Sequence, residues 1–386
     1  VGGQPDRATP NGVTRPSAPI ALCAPNAFKG TLTAAGAAHA LAAGVVDGGW
    51  RARSVPVADG GDGTLDVLLA GASVEARVQE LRVTGPLGRP RRARLGWLGR
   101  DLAVVEMAEA AGLRLLGSRR EPLRATSRGA GELIAAALDG GARRIIVGVG
   151  GSASTDGGAG ILVALGARLL DRHGRAVDLG GGALVTIANV DLSGVDARLG
   201  HTTVEVAVDV RSPLFGVAGA AHVFAPQKGA DGNQVLLLDG GLRHFASLIE
   251  AAAGMPGLAD QPGAGAAGGA AFALAALGAS LGGGAAMVCD RVGLDEAIAG
   301  ATLVITGEGR LDPQTSTGKA PSEVAARARQ AGVPCVAVCG TVQGGDGEFD
   351  ATIALDQMSE EPRRRVRALL RLAGARALSA VPRIQA

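Results

Sequence analysis

The chain has 386 residues, with 38 Lys and Arg against 36 Asp and Glu and a net charge of +2. That balance leaves no electrostatic footprint for nucleic acid. With no Tyr and only 2% aromatic residues there is no platform for base stacking either. No apolar run has the length of a membrane span, and the four scattered cysteines fit a cytoplasmic protein with buried thiols better than a metal or redox pair.

Residues 1–18 are rich in Pro, Gly, Arg and Ser without periodicity and read as a disordered leader. Residues 19–24 predict a short buried strand, followed by the loop around Lys29 and an Ala-rich helix to about Val46 that Thr31 or Thr33 can cap. A second strand is predicted over 51–57, then the loop Asp59 to Thr64 and a helix to about Ala70. This βαβα order predicts a parallel sheet with crossover helices, whose ligands collect at the carboxyl ends of its strands. From Arg77 the pattern changes. Strands over 77–83, 91–98 and 102–107, joined by tight turns, have an antiparallel grammar and mark an inserted domain. A helix over 128–138 and a strand over 143–149 lead to a Gly/Ser/Thr loop at 150–160. A strand over 204–209 follows, and residues 263–284 predict a Gly/Ala helix between glycine loops. The β/α grammar returns with strands over 302–306 and 333–338, a helix over 322–331, a short strand near Thr352 and a closing helix from Pro362 to about Leu378. The arginine-rich face of that helix predicts a solvated surface.

The expected organisation is α/β with two α/β domains. One is built from residues 19–76 and 288–386, the other is an insert over 77–287.

Only three lysines occur, Lys29, Lys228 and Lys319, each beside a glycine, while every other basic residue except five histidines is Arg. A compact ammonium next to bare backbone suits a phosphate or carboxylate ligand. Asp59 and Asp62 stand three apart among Gly60, Gly61 and Gly63, a pattern that fits Mg²⁺ held by carboxylates and phosphate. The loop with Gly150, Gly151, Ser152, Ser154, Thr155 and Asp156 offers many donors to anionic oxygens. Its start, Gly148 to Ala153, also fits the dinucleotide fingerprint G-x-G-x-x-A with Asp171 about twenty residues on, which keeps a nicotinamide oxidoreductase as a competing reading. Glu308, Arg310 and Asp312 form a charged loop at a strand end. Asp209 closes an apolar strand, where an unpaired charge is costly, and is a candidate base. No Walker loop is present: Pro313 stands where its first glycine belongs. No histidine has the setting of a hydrolase triad.

These loops together resemble the glycerate kinase family. The matching stretches are APNAFKGTLTA from Ala24, PVADGGDGT from Pro56, GVGGSASTDGGAG from Gly148, DVRSPLFG from Asp209, FAPQKGA from Phe224, GAGAAGG from Gly263 and ITGEGRLDPQTSTGKAP from Ile305. Asn26 stands where the family often has Asp, and Thr155 where it often has Asn. The resemblance implies ATP-dependent, Mg²⁺-assisted phosphorylation of D-glycerate, usually to 2-phosphoglycerate. It also implies a flavodoxin-like domain from both chain ends and an insert likened to restriction endonucleases. A 3-phosphoglycerate-forming kinase, a kinase of another small hydroxy acid and a non-catalytic sugar-acid sensor are the other readings. On this basis Lys29 and Arg310 are expected to hold the glycerate carboxylate with Asn26 and Glu308 nearby. Gly60, Gly61, Gly150, Gly151, Ser152, Ser154, Thr155 and Lys228 are expected around the nucleotide, with Asp59 and Asp62 on Mg²⁺. Asp209 or Asp156 is expected to orient the hydroxyl, and Lys319 to assist the γ-phosphate. The expected partner is the small acid, with room for a homodimer and none for nucleic acid or membrane.

Overall fold

The computed structural model describes residues 18–312 and 319–380. The expected leader, apart from Ala18, and residues 313–318 of the last motif lie outside the described residues. In chain order the strands begin with β1 (Ile20–Cys23), β2 (Arg51–Ser54), β3 (Ala76–Thr84), β4 (Pro90–Leu98) and β5 (Leu102–Glu106). They continue with β6 (Arg144–Gly148), β7 (Arg168–Leu170), β8 (Asn189–Asp191), β9 (Thr203–Val208) and β10 (Ser280–Gly283). The last are β11 (Leu303–Thr306), β12 (Arg310–Leu311), β13 (Cys335–Cys339), β14 (Thr341–Val342) and β15 (Ala351–Ala354).

Two main sheets organise eleven of these strands into an α/β fold, while β7 with β8 and β12 with β14 form two-stranded sheets. The two ends of the chain supply a five-stranded, all-parallel sheet in the order β15-β13-β11-β1-β2. The middle supplies a six-stranded mixed sheet in the order β10-β9-β6-β5-β4-β3, parallel from β10 to β5 and antiparallel from β5 to β3. β1, β11 and β13 are short apolar runs, almost wholly buried, as strands of a parallel sheet covered on both faces must be. β2, with sequence RARS, is the edge, and its exposed arginines disfavour pairing with another chain.

The first and last helices, Ala34–Asp47 and Val366–Ala377, pack against each other over the five-stranded sheet. Thr33 caps the former, its hydroxyl accepting from the Gly36 amide at 3.1 Å. Two glycines set the approach of the pair. A Cβ at Gly44 would lie 1.8 Å from the Arg371 carbonyl oxygen, and one at Gly374 2.3 Å from that of Leu41. No side chain fits either place, so the backbones touch. Leu41, Val45, Leu369 and Leu370 then close the core beside them, each burial stabilising by about 1.5–3 kcal/mol. Arg371 spans the pair to Asp47 at 2.8 Å.

Residues 263–284 do not form one helix. The helical segment Ala266–Ala276, broken by left-handed backbone at Ala267, Gly268 and Gly269, gives way to β10, which pairs in parallel with β9. Gly278, at φ 90°, turns the chain out of the helix. A further helix, Gly232–Ala253, was not anticipated. It is the longest here among the described residues, and a reciprocal capping box between Asp231 and Gln234 opens it. All four cysteines are buried and unbridged, as the sequence implied. No described helix is long and apolar enough to cross a membrane.

Candidate active site

The carboxyl ends of the parallel strands in both sheets deliver their loops to one place. Asn26 to Lys29 follow β1, Asp59 to Asp62 follow β2 and Glu308 to Asp312 follow β11. From the other sheet, Glu106 ends β5, Gly150 follows β6 and Asp209 follows β9. The loops meet without side chains between them. Gly150 donates its amide to the Gly60 carbonyl at 2.9 Å, and a Cβ on Gly150 would stand 2.5 Å from the Gly61 Cα. Gly60, at φ 89°, packs on the Ala207 carbonyl in the same way. These glycines are therefore spent on loop-to-loop contact rather than on a free phosphate cradle.

Lys29 stands at the centre of this junction. Its ammonium is held above its usual range by Asp59 first, against the cost of burial, and then by Asp209, Asp62 and Glu308. Asp59 is fixed from both sides: Asn26 Nδ2 donates to one carboxylate oxygen at 3.1 Å and the Gly61 amide to the other at 3.2 Å. Asn26 is itself pinned, accepting from the Ala27 amide at 2.7 Å. Burial pushes the Asp209 carboxyl up to about 6; the nearby Asp59 charge adds to this, and Lys29 and Lys319 oppose it. Lys319 reaches Asp312 at 3.5 Å, and Arg310 approaches the same carboxylate at 3.7 Å.

Two cavities open on either side of Lys29, and Lys29 lines both. The smaller, about 320 Å³, also has Glu308, Arg310, Asp312, Lys319 and Arg363 in its wall. The larger, about 850 Å³, combines apolar lining from Leu32, Ala34, Pro56 and Val67 with Asp62, Asp66, Arg94, Glu106, Glu109 and Arg114. There the charges form a chain. Arg94 bridges Asp66 at 2.6 Å and Glu109 at 3.1 Å, and Arg114 bridges Glu109 at 2.9 Å and Asp62 at 3.1 Å. Glu106 accepts from the Gly63 and Leu65 amides at the start of the helix Thr64–Ala70. Burial nevertheless raises its carboxyl to about 7.

The structure thus gathers Asn26, Lys29, Asp59, Gly61, Asp62, Asp209, Glu308, Arg310 and Lys319. It sets other expected residues apart. Lys228 is 3% exposed, and its ammonium donates to Ser152 Oγ at 3.1 Å and to the Ser154 carbonyl at 2.5 Å. Ser152, Ser154 and Thr155 are buried with it, so this segment offers no open surface to a nucleotide. Asp156, wholly buried, accepts from the Ser127 amide and hydroxyl at 2.8 and 2.9 Å and from the Gly158 and Gly160 amides. It ties two loops together and cannot reach a substrate hydroxyl. Gly151 is exposed but packs over Asp62, 2.6 Å from its would-be Cβ.

The dinucleotide fingerprint also fails in place. The helix after β6 begins only at Ala159, and Asp171 is engaged with Arg175 at 2.9 Å in a surface turn.

Sequence reasoning missed Arg94, Glu106, Glu109 and Arg114. The signal for Glu106 was present, since it ends an apolar strand much as Asp209 follows one. The two arginines were unreadable among so many others.

The oxygen-rich set of Asp59, Asp62, Asp209 and Glu308 has the hard-donor chemistry that Mg²⁺ takes. Among the described residues no three His, Cys, Asp or Glu are grouped so as to hold a metal ion by themselves.

Comparison with known proteins gives this geometry a family. The model of the glycerate kinase family matches residues 21–368. Glycerate kinase of Bacillus subtilis (strain 168) is 47% identical over 326 residues, 83% of this chain and 85% of that one. Glycerate 2-kinase of Escherichia coli (strain K12) is 44% identical with the same coverage. A crystal structure described as glycerate kinase 2 from Salmonella typhimurium LT2 matches with a TM-score of 0.79 at 39% identity, covering 94% of this chain and 99% of that one. The family model and these relatives cover most of the chain, and the chain therefore belongs to the glycerate kinase family.

Proposed function

We propose that this chain phosphorylates D-glycerate with MgATP to give 2-phosphoglycerate, in the junction between the loops of the two sheets. The observation that carries the reading is Lys29, which lines two cavities at once and is ringed by four carboxylates. Phosphoryl transfer asks the protein for in-line placement and charge neutralisation, with little covalent help. A shared lysine between a nucleotide space and an acid space meets both needs.

The charge of each cavity assigns its occupant. The smaller has four cationic side chains against two carboxylates and suits the anionic acid, with Lys29 and Arg310 on the glycerate carboxylate. The larger has four carboxylates against three cations, an apolar flank and a volume in the range of nucleotide pockets. Asp62, which lines it, and Asp59, next to Lys29, would hold Mg²⁺, whose chemistry is to neutralise the phosphate oxygens. Asp209 accepts the proton as the glycerate oxygen attacks the γ-phosphorus and the bond to the β-phosphate oxygen breaks. Its raised pKa, about 6, leaves it ionised at neutral pH yet a better base than an ordinary Asp. Lys319 faces the transferred group. In this reading the two sheets are the cores of two domains that close over the substrates and exclude water. The name of the Escherichia coli relative supports the 2-product. The enzyme is placed in the cytoplasm, where ATP is supplied, with room for a homodimer.

The test is purified protein with D-glycerate and MgATP, ADP read by coupling enzymes and the product by phosphorus NMR. Glycerate-dependent ADP and 2-phosphoglycerate are expected. A 3-phosphoglycerate signal would move the attacking hydroxyl, and ADP release only with another hydroxy acid would change the substrate. No ADP release from folded protein that binds ATP refutes the kinase reading. Lys29→Arg keeps the charge but replaces a compact ammonium by a planar fork. A fall of about 100-fold or more in kcat/KM is expected, on the scale of a 1 Å misplacement at a reacting centre.

A further inference from the structure

The closing segment of the chain contains the run Arg363-Arg364-Arg365, whose face the sequence predicts to be solvated. The structure separates these residues. Pro362, Arg363 and Val366 form part of the wall of the smaller cavity, together with Lys29, Arg310 and Lys319. Arg364 turns away to Glu361, at 3.0 Å.

The cations of that cavity differ in how far they are already neutralised. Arg310 and Lys319 share Asp312, and Lys29 lies in the field of four carboxylates. Arg363 is exposed and has no carboxylate within ion-pair distance among the described residues. A guanidinium that borders an anion-sized cavity and is not spent on a protein carboxylate is available to a ligand carboxylate, which it can grip with two parallel N–H bonds.

We propose that Arg363 is a substrate-binding residue that adds to affinity for the acid. It engages the carboxylate of the small hydroxy acid from the C-terminal side of the cavity. This rests on the assignment of that cavity to the acid, and it adds a contact outside every loop that carries the family resemblance. The residue touches neither the transferred phosphoryl group nor the nucleotide, so it acts on affinity for the acid and not on the chemical step.

The experiment compares Arg363→Ala, Arg363→Gln and Arg363→Lys with the parent enzyme, and uses Arg364→Ala as the neighbouring control. KM and kcat for D-glycerate and KM for MgATP are measured, and calorimetry reads binding of D-glycerate and of 2-phosphoglycerate without turnover. Loss of one charged contact predicts KM for D-glycerate up by about 10- to 100-fold. KM for MgATP should stay within about twofold. Arg363→Lys should recover part of the loss. Arg364→Ala should behave as the parent. If Arg363→Ala does not fold, the polar but neutral Arg363→Gln carries the test.

Unchanged acid affinity in both neutral variants overturns the proposal, as does an equal rise in KM for MgATP. The calorimetric arm separates this outcome from failure of the kinase reading. A parent protein that binds D-glycerate through Arg363 yet releases no ADP keeps the site and loses the reaction. A parent that binds neither acid removes both.

Discussion

Lys228 offers the most direct test of the electrostatics described above. Its ammonium is enclosed, with Ser152 Oγ and the Ser154 carbonyl as acceptors. Burial draws its pKa from the ordinary 10.5 down to about 8, Asp156 working weakly the other way. The perturbation is Lys228→Met, which keeps most of the length of the side chain and removes the charge. In the parent, folded and unfolded states both hold the proton below pH 8, and both have lost it well above 10.5. Between those values the unfolded state binds more protons, so stability rises with pH. The burial penalty is thus fully present below the folded pKa and is gone above the unfolded one. The difference of about 2.5 pH units corresponds to about 3 kcal/mol at 1.36 kcal/mol per unit. Guanidinium denaturation of both proteins at intervals from pH 7 to 10.5 should show the parent gaining about that much on the variant. The offset at pH 7 is not diagnostic. There the lost penalty opposes the lost hydrogen bonds, about 1–3 kcal/mol for each stranded partner. With three lysines in the chain, ¹³C-lysine NMR gives an independent reading: one Cε resonance should titrate near pH 8 and vanish in the variant. Parallel stability curves across pH 8–10.5 would refute the argument, because they would mean that the ammonium is solvated.

Gly150→Ala should separate the loops of the two sheets, since its Cβ would meet the Gly61 Cα at 2.5 Å. About 1–3 kcal/mol of stability and at least about tenfold in kcat should be lost. Gly232→Ala, with nothing within 4 Å of its Cβ, is the matched control. Ala267 is the one described residue other than glycine at positive φ, 54°. Ala267→Gly should relieve about 1 kcal/mol of backbone strain and raise the unfolding midpoint by about 2 °C in calorimetry; a lower midpoint would show that its methyl contact outweighs the strain.

The short apolar strands, their glycine-bearing loops and the charges at strand ends were legible because each is a local pattern. β1, β11 and β13 are runs that suit only a buried sheet, and Asp209 and Glu308 are charges where such runs stop. The helix Gly232–Ala253 was hidden by the glycines at 240 and 241, though its opening Asp231-x-x-Gln234 is a cap signature. β10 reads as a loop, since Ser-Leu-Gly-Gly has no strand propensity and pairs only because β9 offers an edge. The fate of Lys228 was misread for a different reason. A lysine beside a glycine looks the same whether it meets a ligand or the carbonyl of a buried loop. Arg94 joins Glu109 and Asp66, 15 and 28 residues away, and Arg114 joins Asp62, 52 residues away, and no local pattern carries such pairings.

The sheet shared by the two ends of the chain has a consequence for biosynthesis. β1 borders β2 and β11, and the Thr306 hydroxyl closes on the Ala24 carbonyl across 282 residues. At about 5–20 residues per second, a ribosome makes β1 on the order of 15–60 s before β11 exists to receive it. Throughout that interval Ala21, Leu22 and Cys23 lack half their ladder, and Leu41 and Val45 lack the last helix. By the end of that interval the middle sheet has all its strands, since β10 precedes β11 in the chain. The nascent chain must therefore carry an unfinished, apolar amino-terminal segment beside a completed sheet, and a message cut short before Val366 would leave the first helix uncovered for good. Removal of a few carboxyl-terminal turns should surface as insolubility during expression rather than as a weakened enzyme.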